Sequence, residues 1–442
     1  MSIPASYKPS VGLIKVASLL AILVLCLFGF ALRYHSAFNN VLCMILASFL
    51  RFDAQWLFYI YLGVWCACFI VLTFSLTDVL LVGLLLISGF IYAINYETAF
   101  RPASALIMLA GVTLGKAAKV LLGQNNQVMT QGRSGISCVT FYFLIGLVML
   151  LAFSSWCHLD MTNNAYHGPR WMGLWDNPNI YGMLMGVGLI LAIGLLAASP
   201  KSAESAEENI VMDSRGLSVR IILLIAVGMM AVGLLFSYSR GAWLGTSVGL
   251  LYLATGYGKF KWRWMLPGVF AVAVVVLFFW SSTPDASPWY VKRMDLARSS
   301  AQHRVVAWKA GFEIMRDHPF GVGWNKTVET YQNNYSPKED GAAAITTNDY
   351  LMMGTQLGLP SLICFVVYVG LCFRGNCRMM NEECRIQAAC RAGALMLLVA
   401  FWFDGGLFTL ATASVFWVLL ELGTSVLTPD KNRKLSQPEA PN

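Results

Sequence analysis

The chain has 442 residues, of which 57% are hydrophobic and only 12% are charged. Soluble globular domains carry about twice that share of charged residues, so this composition excludes an ordinary soluble protein. The net charge of +8 does not indicate nucleic-acid binding, because the basic residues are scattered among short loops, as in proteins oriented in a bilayer. The sequence therefore predicts an all-α polytopic membrane protein.

Charge-free apolar runs are long enough to cross the roughly 30 Å hydrocarbon core of a bilayer as helices. The first run lacks an evident small-residue cleavage site and is interpreted as a retained span. Residues 38–50 are apolar but short for an independent span. The predicted spans lie near 12–32, 54–74, 78–95, 103–122, 135–157, 179–199, 219–238, 241–257, 263–282, 348–373, 389–404 and 407–426. They amount to about twelve transmembrane helices.

Three basic clusters orient these spans: one at 259–263, one at 374–391 and one at 431–434. Cytoplasmic loops are enriched in Lys and Arg, so the three clusters are predicted to share the cytoplasmic side. The loops 158–178, 239–241 and 283–347 then face outward. The whole chain, 1–442, is predicted to be one membrane-embedded domain with a disordered cytoplasmic tail at 428–442.

The large outward loop contains a stretch with helical periodicity that starts at Arg304. Its apolar positions are Val305, Trp308, Phe312 and Met315, and its charged positions are Lys309, Glu313 and Arg316. This pattern predicts an amphipathic helix on the membrane surface. Pro319 ends it, and Gly321 and Gly323 supply a turn with positive φ. The alternative is an ordinary interfacial helix without a role in chemistry.

Three arginines fall on the predicted outer face: Arg170, Arg240 and Arg304. An excess of outward arginine opposes the usual loop bias and favours an anionic ligand. A planar guanidinium binds two phosphate oxygens at once, so three of them around one cavity suit a diphosphate. Taken singly, each arginine is more often an interfacial anchor that extends its charge to water.

Several motifs occur in order along residues 165–365. They are Gly173 to Asn179 with its Asn-Pro-Asn, Ser239-Arg240-Gly241-Ala242-Trp243-Leu244-Gly245, Arg304 with Trp308, Pro319 and Gly321-Val322-Gly323, and Asn348-Asp349-Tyr350-Leu351 with Gly358-Leu359-Pro360. Together they resemble the superfamily of O-antigen ligases and O-antigen polymerases (Wzy-type), which are bacterial envelope glycosyltransferases.

The resemblance implies a metal-independent, inverting glycosyltransferase of GT-C-like architecture in the bacterial inner membrane, with its active face in the periplasm and no cofactor. The donor would be an undecaprenyl-diphosphate-linked glycan. The acceptor would be the lipid A core in a ligase, a second lipid-linked glycan in a polymerase, or a protein hydroxyl in a protein O-oligosaccharyltransferase. A transporter or flippase of a lipid-linked glycan is the alternative outside this enzyme class.

By motif match, Arg170, Arg240 and Arg304 would stabilise the charge that develops on the diphosphate. Ligases of this group commonly carry His where this chain has Thr347, so the general base is left open between Asp349, His303 and none. Asp349 is equally interpretable as part of a helix N-cap. Asp404 either pairs with an arginine or marks a turn with Gly405 and Gly406. Further substrate-binding candidates are Asn179, Ser239, Trp243, His303, Trp308, Asn348 and Tyr350.

The outward histidines match no established zinc spacing, so no metal site is predicted. The tryptophans on this face suit sugar stacking, although an interfacial tryptophan belt gives the same pattern. The expected partners are the lipid-linked glycan, its acceptor and membrane lipids. The sequence leaves the sugar, its linkage, the acceptor and the oligomeric state open.

Overall fold

The computed structural model describes residues 76–94, 103–123, 138–156, 170–175, 177–198, 210–256, 299–335, 345, 347–374 and 382–424. All regular secondary structure within these ranges is helical. The predicted spans near 12–32, 54–74 and 263–282, the segment 38–50 and the tail 428–442 lie outside the described residues.

The described part of the chain contains eleven α-helices. In chain order they are α1 (Leu76–Ile94), α2 (Ala103–Gly123), α3 (Cys138–Trp156), α4 (Pro178–Ala198), α5 (Ile210–Ser237), α6 (Arg240–Gly256), α7 (Ser299–Asp317), the short α8 (Thr327–Thr330), α9 (Asp349–Phe373), α10 (Glu382–Ala400) and α11 (Leu410–Thr424). A π-helical turn, Tyr331–Tyr335, continues α8. In the described ranges, Pro178–Ala198, Leu217–Ser237 and Asp349–Phe373 are apolar and long enough to cross a membrane. Shorter apolar helices lie at Val79–Ile91, Thr140–Trp156 and Leu410–Thr424.

Helix α4 lies at the centre of the bundle, whereas α5 lies at its edge. Nearly every side chain of α4 is buried, and the helix packs against α3, α5, α6 and α10. Its glycines allow close approach, since a Cβ at Gly194 would lie 2.3 Å from the Cβ of Ala389. By contrast, α5 exposes Leu224, Ile225 and Leu235. This contrast suits a helical bundle whose outer apolar faces contact lipid.

The span predicted near 219–238 corresponds to the membrane-length segment Leu217–Ser237, whereas the bounds predicted near 389–404 were wrong, and arginines explain that difference. The span near 219–238 is the end of a longer helix that begins at Ile210. The span near 389–404 begins earlier, at Glu382, and ends at Ala400. Arg385 donates to the carbonyl oxygen of Ala197 (2.9 Å), and Arg391 donates to that of Gly423 (2.9 Å). Because each guanidinium meets the carbonyl end of a neighbouring helix, α10 accommodates both charges within its helical part.

Helix α7 forms as predicted, and one side of it packs against the rest of the protein. Ala307 and Ala310 are buried, together with Ile314. Val305 and Phe312, which belong to the apolar face predicted to lie on the membrane surface, are 49% and 54% exposed. The two alanines and Ile314 pack with Tyr331 and Ile345 in a small apolar cluster, while Gly311 lies against Leu351 of α9. A sequence pattern that counts only large apolar residues overlooks the alanines.

The chain after α7 docks into a break in α9. Gly358 has φ 83° and ψ 170°, a conformation available essentially only to glycine, and it interrupts the helix before Pro360. Val322 and Gly323 donate backbone N–H groups to the carbonyl oxygens of Thr355 (2.8 Å) and Gln356 (3.0 Å). Leu359 N–H donates to the carbonyl oxygen of Pro319 (2.8 Å). The segment 319–323 therefore supplies hydrogen bonds that the broken helix lacks.

That docked segment has the turn geometry predicted from its glycines. Gly321 and Gly323 have φ of 86° and 106°. At the end of α7, the Asp317 carboxylate accepts from the Tyr335 hydroxyl (2.9 Å) and from Arg316 Nε (3.0 Å). Both hydrogen bonds lower the pKa of Asp317, that from Tyr335 more than that from Arg316. Asp317 thus ties the π-helical turn back to α7.

A buried ionic cluster joins α2, α9 and α11 near the carboxyl end of α11. Glu421 pairs with Lys116 (2.8 Å) and Lys119 (3.2 Å), and it accepts a hydrogen bond from the Tyr368 hydroxyl. Its side chain is 1% exposed, so the two ammonium groups compensate a carboxylate that is removed from water.

Candidate functional site

Six helix ends converge on one turn of the chain, residues 401–409, between α10 and α11. Contacts to this turn and its flanking residues come from the start of α4, the connection between α5 and α6, the first half of α7 and the start of α9. Because these helix starts and helix ends all contact one turn, they lie at the same end of the bundle.

Asp404 is the hub of this region and is 6% exposed. Its Oδ1 accepts from Asn179 Nδ2 (2.9 Å) and from an Nη of Arg304 (3.4 Å). Its Oδ2 accepts from Ser239 Oγ (3.1 Å). A Cβ at Gly241 would lie 2.8 Å from Oδ2, so only glycine permits this approach. One carboxylate therefore joins three segments that the sequence analysis had singled out separately.

Arg170 reaches the same network through Asn179. Its Nε donates to the carbonyl oxygen of Ser237 (2.6 Å), and an Nη donates to Asn179 Oδ1 (2.5 Å). The residue is 6% exposed. The amide of Asn179 thus bridges Arg170 and Asp404, accepting from one and donating to the other. This bridge holds a buried guanidinium close to the hub.

Arg304 reaches the hub from α7. One Nη donates to the carbonyl oxygen of Phe403 (2.8 Å) and the other forms the 3.4 Å ion pair with Asp404. Its side chain is 25% exposed, so part of the guanidinium is open to a ligand. The backbone bond fixes the plane of the group, while the ion pair with Asp404 is long and replaceable.

Arg240 begins α6 and is exposed. The preceding Ser239 binds the hub, and its Oγ also accepts from the N–H of Ala242 (3.3 Å), which caps α6. Trp243 donates its indole N–H to the carbonyl oxygen of Leu234 (2.9 Å) and thereby ties α6 to α5. The arrangement fixes the start of α6 beside the hub, with Arg240 one residue further along the chain.

The Asn-Asp-Tyr motif positions α9 against the turn. Asn348 is the N-cap, since its Oδ1 accepts from the N–H groups of Tyr350 and Leu351, both at 3.1 Å. Asp349 is 1% exposed, and its Oδ2 accepts from the N–H groups of Gly406 (2.6 Å) and Leu407 (2.7 Å). Asp349 therefore holds the turn that contains Asp404.

The remaining candidates differ in how they are placed. The side chain of His303 lies outside the described part of the structure. Trp308 lies one turn beyond Arg304, and its ring packs against those of Trp402 (5.8 Å) and Phe403 (6.4 Å). Tyr350 donates its hydroxyl to the carbonyl oxygen of Leu398 (2.6 Å). Within the described ranges, no group of three His, Cys, Asp or Glu residues could hold a metal ion.

The sequence analysis placed Asp404 among its open alternatives but not among its site residues. The structure pairs it with Arg304. The sequence feature that could have identified Asp404 is its position as a lone acid between two apolar spans, where an unpaired charge is costly. The spacing gave no partner for it, because Asp404 and Asn179 are separated by 225 residues along the chain.

The arrangement is suited to binding an anion. Arg170 and Arg304 both reach the Asn179–Asp404 pair, and Arg240 follows Ser239, which also contacts it. The guanidinium groups of Arg170 and Arg304 thus lie around the Asn179–Asp404 pair, and Arg240 is the first residue of the neighbouring helix α6. Guanidinium groups in a partly dehydrated site bind phosphate oxygens with short, charge-assisted hydrogen bonds.

The described ranges form a helical bundle with membrane-length apolar helices, and segments that carry three arginines meet at one end of it. Residues 225–366 match the family model described as O-antigen ligase, which confirms the resemblance to the O-antigen ligase and polymerase superfamily. The match indicates an enzyme of glycosyltransferase type that acts on lipid-linked glycans. It includes Arg240 and Arg304, whereas Arg170, Asn179 and Asp404 lie outside it. No curated protein matches the chain.

Proposed function

We propose that the protein transfers a glycan from an undecaprenyl-diphosphate carrier to an acceptor hydroxyl at the periplasmic face of the bacterial inner membrane. The acceptor is the lipid A core or a second lipid-linked glycan. The observation that carries the proposal is the hydrogen-bonded series from Arg170 through Asn179 and Asp404 to Arg304. A diphosphate that enters there replaces Asp404 as the partner of Arg304.

In the proposed reaction, the acceptor oxygen attacks the anomeric carbon from the face opposite the phosphate. A carbon–oxygen bond to the acceptor forms, the bond to the diphosphate breaks, and the carrier leaves with the electron pair. The hydroxyl proton is released to water. Arg170, Arg240 and Arg304 stabilise the charge that builds up on the leaving diphosphate, which lowers the barrier without a metal ion.

Asp349 and Asp404 serve in positioning rather than as general bases. Asp349 already accepts two backbone N–H groups and is buried, and Asp404 accepts from three side chains. Thr347 lacks the basicity of imidazole. The reaction in this protein therefore depends on stabilising the leaving group more than on removing the acceptor proton.

Purified protein supplied with a carrier-linked glycan and an acceptor tests the proposal. We expect a new glycosidic product and released undecaprenyl diphosphate, and we expect Arg304→Lys to lower the rate about 100-fold, because lysine cannot bind two phosphate oxygens in one plane. Arg316→Lys is the matched control, since Arg316 lies on the same helix but is exposed and pairs with Asp317. Equal rates for Arg304→Lys and wild type would contradict the proposal.

The alternative, a flippase for a lipid-linked glycan, predicts transbilayer movement without new glycosidic bonds. Transporters often use broken spanning helices as substrate sites, and α9 is broken at Gly358. However, the freed carbonyl groups of Thr355 and Gln356 already accept from Val322 and Gly323. Movement of the glycan across liposomes that lack an acceptor would favour transport over transfer.

A further inference from the structure

Three aromatic side chains form a row beside Arg304, and one of them was not singled out in the sequence. The rings of Trp308 and Trp402 lie 5.8 Å apart at 68°, and those of Trp402 and Tyr350 lie 5.7 Å apart at 40°. We call Trp308, Trp402 and Tyr350 the aromatic row. All three are partly exposed. The row is therefore accessible at the same end of the bundle as the arginines.

The row is attached directly to the anion site. Trp402 and Phe403 lie in the same turn as Asp404. An Nη of Arg304 donates to the carbonyl oxygen of Phe403. Trp308 lies one helical turn after Arg304 on α7. Tyr350 is fixed by its hydroxyl bond to Leu398. A ligand held by Arg304 thus has the aromatic row as its neighbour.

Two buried donors have no acceptor in the described structure: one belongs to the row and the other lies two residues before Tyr350 in the chain. Trp308 Nε1 and Asn348 Nδ2 are both inaccessible to water and make no hydrogen bond in the described structure. Asn348 is itself completely buried. A buried donor without an acceptor is rare in proteins, because it costs about 1–3 kcal/mol. A ligand that brings oxygen acceptors would satisfy these two groups once the side chains that cover them shift.

Aromatic rings together with unpaired N–H donors fit a sugar better than the other parts of the donor. The isoprenoid tail would contact the rings but would leave both donors unpaired. The diphosphate would bind the guanidinium groups in preference to neutral N–H groups. A pyranose ring offers apolar C–H faces for stacking and hydroxyl oxygens as acceptors, which matches sites that combine aromatic walls with a few polar groups.

We infer that the aromatic row binds the first sugar of the lipid-linked glycan, with Trp308 Nε1 donating to one of its oxygens. This inference rests on the proposed function, because it takes the diphosphate to lie at Arg304. Trp402 is a specificity-determining residue in this arrangement. It holds the sugar that carries the anomeric carbon against the leaving diphosphate.

The experiment compares the affinity of purified protein for two probes: undecaprenyl diphosphate alone and undecaprenyl diphosphate bearing one hexopyranosyl residue. Wild-type protein should bind the sugar-bearing probe more tightly. Trp402→Ala should reduce that advantage about tenfold and leave the affinity for the bare carrier unchanged. Trp308→Phe keeps a ring but removes the donor, and should reduce the advantage about threefold to tenfold.

The matched control is Trp156→Ala, since Trp156 is 50% exposed at the end of α3 and lies outside the aromatic row. It should behave as wild type with both probes. The inference is overturned if Trp402→Ala and Trp308→Phe retain the wild-type preference, if they weaken both probes equally, or if wild type shows no preference. Failure of wild type to bind the bare carrier would instead contradict the proposed function.

Discussion

Replacing Asp404 by asparagine tests the hub of the site with almost no change in volume. The asparagine oxygen is best placed at the Oδ1 position, where it keeps the bonds from Asn179 and Arg304 without the negative charge. Its NH₂ group then faces Ser239, whose hydroxyl must rotate and accept. The loss of one charge-assisted ion pair and one rearranged hydrogen bond lowers the free energy of unfolding by about 1–3 kcal/mol.

Asp404→Ala removes all three acceptor contacts and leaves Arg304 without its carboxylate, so the loss rises to about 3–5 kcal/mol. Thermal unfolding in detergent is followed with a thiol-reactive dye, which reports exposure of the buried Cys372, Cys384 and Cys390. Glu313→Gln, on the exposed side of α7, is the control and should melt as wild type. The reasoning would be refuted if both Asp404 variants melted at the wild-type temperature and transferred glycan at the wild-type rate.

Other predictions concern backbone strain and buried charges, and all use the same unfolding assay. Gly358→Ala should cost about 1–3 kcal/mol because of the φ of 83°, whereas Gly370→Ala, which has open space on the same helix, should not destabilise. Asp349→Asn should cost about 1–3 kcal/mol, since its carboxylate accepts two buried backbone N–H groups; no loss would argue against its role in holding the turn. Glu421→Gln should cost about 3–5 kcal/mol by leaving Lys116 without its carboxylate, and an unchanged melting temperature would contradict this.

Local features of the site were predictable from the sequence because they depend on neighbouring residues. The length of the apolar runs predicted the helices near 103–122, 179–199 and 348–373. The positive φ of Gly321 was predictable because this glycine follows a helix that a proline ends. The N-cap at Asn348 is equally local, since its side chain bonds N–H groups two and three residues ahead.

Features that depend on distant contacts were not predictable in the same way. The burial of Ala307 and Ala310 on α7 was not predicted, because it depends on Tyr331 and Ile345, which lie further along the chain. The break at Gly358 is stabilised by backbone groups of residues 319–323, and no periodicity reports such pairing. Asp404 belongs to the site because it contacts Asn179, Ser239 and Arg304, which lie in three separate segments of the chain.

The central claim is that Arg170, Arg240 and Arg304 hold one pyrophosphate group. The most direct measurement is the equilibrium affinity of purified protein for bare undecaprenyl diphosphate, compared among wild type, the three Arg→Lys variants and Arg316→Lys. Each of the three should bind at least about tenfold more weakly, because a bidentate contact is lost, and Arg316→Lys should bind as wild type. Unchanged affinity in all three variants, each shown to be folded, would contradict the account.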